Sequence, residues 1–233
     1  YDQAFRTLLE ERWQPAIRTV PPYFDDPAHI EALAISLDRH LKGLSWTPDL
    51  ILASFHGLPQ DYFMDGDPYH CHCMKTARLL AARMGLPRDK LQVVFQSRFG
   101  KAEWLQPYAQ QTVEGLPGKG VKNLVMIMPG FASDCVETLE EVAIGLGETF
   151  HENGGENFSA VPCLNDSPES VDMMETIVRR ELLGDRPTVR VFDLAGAGEL
   201  PAALRKGASD AVGSAAWVCR GTQCLPPCRT LAE

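Results

Sequence analysis

Four short apolar runs recur along the chain, at residues 50–53, 91–95, 124–128 and 158–161, and a segment of helical character separates each from the next. Runs of this length, bounded by polar and turn-forming residues, read as buried strands. Strands alternating with helices in this way imply a parallel sheet covered by helices on both faces. The spacing predicts helices over 2–11, 27–41, 68–84, 106–114, 136–153 and 168–183, with Asp26 as N-cap before Pro27. A strand is expected at 16–20, closed by Pro21-Pro22, and a polar loop at 60–67.

The character changes after Gly184. Asp185-Arg186-Pro187 looks like a junction, residues 188–193 alternate like one more strand, and an Ala/Gly-rich segment runs on to a cysteine cluster. The expected organisation is therefore one α/β lobe over 1–184 and an appendage over 185–233.

A net charge of −9 leaves no basic stripe to neutralise phosphates, which argues against nucleic-acid binding. No apolar run approaches the roughly 20 residues of a membrane-spanning helix. Seven cysteines without a secretory leader favour reduced thiols and a cytoplasmic location over a disulfide framework.

Two of the strands end in chemistry. The first runs into Ser54-Phe55-His56-Gly57-Leu58-Pro59, and the run at 124–128 is followed by Ser133-Asp134-Cys135-Val136-Glu137-Thr138. Carboxyl ends of strands are where open α/β sheets place their ligand crevices. A lone histidine is more often a satisfied loop or core residue than a functional one. Here a strand end followed by a rigid Gly-Leu-Pro turn tips the balance toward a base or metal ligand.

Glu137, Glu141 and Glu148 fall on one face of the expected helix, and most such stripes are solvated acidic faces. Glu137, in the first turn after a buried strand, is expected to be shielded from water, which would raise its pKa. The carboxylates beyond it would line a track for a divalent cation. Trp104, beyond the strand ending in Gln96-Ser97-Arg98-Phe99-Gly100, suits either a core cap or a wall for a flat ligand. Cys71 and Cys73, like His70 and His72, are two apart on a helix and cannot share an ion without distortion.

Taken together these segments resemble ferrochelatase, with Gly66-Asp67-Pro68-Tyr69, Gln96-Ser97-Arg98-Phe99-Gly100, Trp104-Leu105 and the His56 and Glu137 motifs occurring in order between residues 1 and 183. The resemblance implies insertion of ferrous iron into protoporphyrin IX, with His56 and Glu137 as catalytic residues, His56, Glu137 and Glu141 along the iron path, and Trp104 and Ser54 toward the porphyrin. A further acid of the family pattern falls on Gly145, where Glu148 is the candidate substitute. Ferrochelatases contain two similar halves, and only the second is matched, so the first half would supply the other porphyrin wall and any peripheral membrane contact. The alternatives are a cobalt or coproporphyrin-type chelatase and a non-catalytic tetrapyrrole or metal carrier. Gln96-Ser97 and Trp104 favour the first reading.

Cys219, Cys224 and Cys228 bring a [2Fe–2S] cluster to mind, since some ferrochelatases carry one on carboxyl-terminal cysteines. Such a cluster needs four thiolates, and three are at hand. Residues 216–227 also resemble the carboxyl end of a thioredoxin-domain-containing family, so an inert tail is the favoured expectation.

Overall fold

The computed structural model describes residues 2–13, 17, 19–87, 89–183, 188–193, 214–220 and 223–224. They divide into two compact units, Pro21–Thr176 on one hand and Tyr1–Val20 with Ile177–Glu233 on the other.

The larger unit is built on a four-stranded parallel sheet: β1 (Leu50–His56), β2 (Leu91–Gln96), β3 (Asn123–Ile127) and β4 (Asn157–Ala160), in the order β2-β1-β3-β4. β1 is hydrogen-bonded on both edges, and its residues from Leu50 to Phe55 are all buried. That is why its sequence is an apolar run rather than an alternation. The register sets His56 beside Gln96 at the carboxyl ends of β1 and β2.

Parity decides which way each side chain faces. Leu50 and Leu52 pack in a core with Val94, Leu124 and Met126, against Val113 of α5 (Ala109–Gly115), Val142 and Phe150. Ser54 and His56 share that parity and so emerge on the same face. Phe55 points to the other face, where α2 (Pro27–Gly43) packs on α4 (Tyr69–Arg83). The Asp26 carboxylate caps α2 by accepting from the Ala28 N–H at 3.0 Å, as its sequence position suggests.

In this unit three elements differ from expectation. The loop at 60–67 contains a short helix, α3 (Gln60–Met64). The helix expected from residue 106 starts only at Ala109, because Pro107 is taken up by the sheet: its carbonyl accepts from the Phe95 N–H at 2.8 Å. The helix expected over 136–153 is a π-helix, Glu137–Leu146, followed by α6 (Gly147–Glu152). α7 (Pro168–Leu183) matches expectation, and its Glu169 receives a bidentate pair from Arg39 of α2 at 2.8 and 2.9 Å.

In the smaller unit, the helix near the amino end is α1 (Asp2–Glu10). Of the strand expected at 16–20, Ala16 and Arg18 lie outside the described residues, and Ile17, Thr19 and Val20 are not in a strand. β5 (Thr188–Asp193) is present as expected and pairs antiparallel with β6 (Ser214–Arg220), which in turn pairs with β7 (Gln223–Cys224). Cys219 stands opposite Cys224 in that register, while Cys228 lies outside the described residues. Among the described residues, no helix is long and apolar enough to cross a membrane.

Candidate active site

His56 is the last residue of β1 and is half-buried. Its Nδ1 lies 2.7 Å from the Gly57 carbonyl, so Nδ1 carries a proton and donates, and in the neutral ring the lone pair is on Nε2. The strand end itself is held from behind, where the Tyr69 hydroxyl donates to the His56 carbonyl at 2.9 Å. Gly57 carries the ladder with β2 one bond further, its N–H donating to the Gln96 carbonyl at 2.8 Å. The Trp104 ring fills the space beside the turn, its centroid 6.2 Å from that of His56.

Trp104 is only 6% exposed, and Phe99 meets its edge at 5.9 Å between centroids. Ser54 is wholly buried and donates its hydroxyl to Gln96 Oε1 at 2.7 Å. What Trp104 and Ser54 offer in this structure is chiefly support for the turn and for Gln96.

Glu137 opens the π-helix and is half-exposed. The Cys135 thiol and its own backbone N–H hold its carboxyl below the ordinary carboxylate range, and His56 adds to this whenever its ring is protonated. This reverses the expected upward shift, because the carboxylate is solvated and hydrogen-bonded rather than enclosed. His56 and Glu137 are thus close enough to interact electrostatically across the open end of the sheet. Upstream, Asp134 ties a knot: its carboxylate accepts from the Cys163 N–H, the Thr138 hydroxyl and Asn165 Nδ2 at 3.1, 3.2 and 2.7 Å. Burial pushes its carboxyl up, but those three donors outweigh burial and leave it low.

Glu141 does not project free. Its Oε1 accepts from the Ser97 N–H at 2.7 Å, and its Oε2 from the Ser97 hydroxyl at 2.6 Å. Glu148 is exposed on α6, beyond the end of the π-helix, and Gly145 leaves no acid between. Burial pushes the Cys73 and Cys163 thiols up to about 12, so neither offers a thiolate at neutral pH. Among the described residues, no group of three or more His, Cys, Asp or Glu is arranged to hold a metal ion.

A cavity of about 420 Å³ lies on the other side of β1, lined by Phe24, Phe55, Tyr69 and Asn165 among others. Neither His56 nor Glu137 lines it. Gln96, Ser97, Tyr69 and Asn165 are the site residues that sequence reasoning left unassigned. Gln96 carried a signal, as a polar residue closing an otherwise buried strand.

The parallel α/β lobe thus presents an imidazole at the end of β1 and a carboxylate on the π-helix that follows β3. The particular family follows from comparison: the chain matches the ferrochelatase family over residues 1–182 and belongs to it. It is 61% identical over 183 residues to the ferrochelatase of Rhizobium meliloti (strain 1021), covering 78% of this chain and 54% of that protein. It is likewise 61% identical to the ferrochelatase of Allorhizobium ampelinum, covering 53% of it, and 55% identical to that of Nitrobacter hamburgensis, again covering 53%. The chain spans about half the length of the curated relatives it matches.

Proposed function

We propose that the larger unit forms the metal-delivering wall of a ferrochelatase, inserting ferrous iron into protoporphyrin IX, and that His56 and Glu137 act there as a pair. The observation that carries this reading is the fixed imidazole with its free Nε2 beside an ionised carboxylate. Metallation exchanges two pyrrole N–H protons for Fe²⁺, so the ring must lose both protons while the ion sheds water. With its ring neutral, His56 Nε2 accepts one proton, aimed by the bond to Gly57, and the other leaves to solvent water. Glu137 stays anionic at neutral pH, which suits it to draw a cation toward the ring and to stabilise the imidazolium once formed. The buried thiols do not compete, since soft thiolates would hold iron rather than pass it on.

Trp104 and Ser54 act behind this pair, one as the backing of the His56 turn and the other as the fixed partner of Gln96. The other half of the curated relatives would supply the facing porphyrin wall. Iron insertion by the chain alone and with the missing half of a relative added as a second polypeptide tests the reading. Little turnover alone and clear turnover in combination is expected. Absence of turnover in the combination, with both polypeptides folded and bound, would overturn it.

A further inference from the structure

Glu141 is the residue on which the resemblance and the geometry part. Both of its oxygens are held by one residue, since Ser97 donates through its N–H at 2.7 Å and its hydroxyl at 2.6 Å, so its orientation is set before any ion arrives. Charge-assisted bonds of this length are among the stronger ones a protein makes. Gln96 Nε2 adds a longer contact to Oε2 at 3.4 Å. Ser97 adopts φ 62°, the left-handed region that a non-glycine residue enters at a cost, and that backbone turns its two donors onto the one carboxylate.

The next residue back completes the brace. Gln96 is 2% exposed, accepts from the Ser54 hydroxyl at 2.7 Å and donates to the Glu137 carbonyl at 2.8 Å. The end of β2 therefore grips the π-helix at two points four residues apart, the backbone of Glu137 and the side chain of Glu141. A π-helix is the least self-supporting of the helical forms and occurs mostly as short functional segments. An external brace explains how its first turn keeps one orientation.

We infer that Glu141 is a positioning residue rather than an iron ligand: latched by Ser97, it fixes the opening turn of the π-helix and thereby aims Glu137 at His56. The inference rests on the His56–Glu137 pair of the proposed function. It assigns Ser97 and Gln96 to the same device.

The two roles of Glu141 predict opposite effects of freeing it. Co²⁺ binding to the full chain serves as the probe, measured spectroscopically with no porphyrin present, alongside thermal unfolding to confirm that each variant folds. For a latch, Ser97→Ala and Glu141→Gln each weaken Co²⁺ binding by about tenfold, the scale on which second-layer partners act on metal sites. The double variant is then no weaker than either single one. Ser97→Gly, which keeps the N–H and tolerates the left-handed backbone, stays closer to wild type than Ser97→Ala. For a ligand, Ser97→Ala leaves binding unchanged or tightens it while Glu141→Gln weakens it, and that pattern overturns the latch. A Glu137→Gln variant separates the two levels. If it leaves Co²⁺ binding unchanged, the underlying pair fails and the latch with it; if it responds while Ser97→Ala does not, the latch alone is wrong.

Discussion

At the scale of single residues, the site is a set of groups held by neighbours that are themselves held. His56 has its tautomer set by Gly57 and its backbone by Tyr69, and Asp134 binds the approach to the π-helix to the segment after β4. Asp134 has a folded-state pKa below the ordinary aspartate value, so the unfolded chain binds more protons between the two values. Its contribution to stability is fully present above about pH 4, the unfolded value, and is lost as pH falls through the lower folded value. Asp134→Asn should cost about 1–2 kcal/mol at pH 7, in keeping with loss of a charge-assisted cluster. Denaturant midpoints measured across pH should show that deficit constant from neutrality to about pH 5 and shrinking below about pH 4. A deficit independent of pH would mean that the carboxylate charge is irrelevant there. The places of His56 at a strand end and of Glu137 at a helix start were legible in the sequence, whereas the sign of the Glu137 shift and the role of Asp134 were not. Solvent exposure and the Cys135 thiol decide it, and neither leaves a trace in residue order.

At the scale of elements, strands were legible because burial on both faces writes a continuous apolar run, as in β1 and β3. The cap on α2 was legible because Asp26-Pro27 fixes a helix start chemically. The π-helix was not: over the ten residues of Glu137–Leu146, apolar spacing does not separate wide winding from ordinary winding. The late start of α5 was hidden for a different reason, since it depends on a bond between Phe95 and Pro107 that only the fold creates. The turn after β1 is the tightest junction near the site. A Cβ on Gly57 would stand 3.0 Å from the Gln96 carbonyl oxygen and 3.0 Å from Trp104 Cε3. The backbone oxygen cannot yield without breaking its bond to the Gly57 N–H, so Gly57→Ala should destabilise by about 1–3 kcal/mol. Equilibrium unfolding checks this, and a loss below about 0.5 kcal/mol would show that the turn has room the structure does not reveal.

At the scale of the whole molecule, the four-stranded sheet has its own core, and the chain spans about half the length of the curated ferrochelatases it matches. The lobe was legible in the strand–helix alternation, and its family in the order of motifs along residues 1–182. The antiparallel sheet formed by β5, β6 and β7 was legible only in its first strand, because the Ala215-Ala216-Trp217-Val218-Cys219 run of Ser214–Arg220 lacks alternation and is continuous with an Ala/Gly-rich stretch. The central claim is that His56 acts on protons during metallation rather than as a porphyrin anchor. The direct test compares wild type and His56→Ala, each combined with the missing half of a relative, for iron-insertion rate and porphyrin affinity. A general base contributes about 10²-fold or more, so the rate should fall by at least that while affinity stays within about threefold. An unchanged rate, or an affinity that collapses in step with it, would contradict the account.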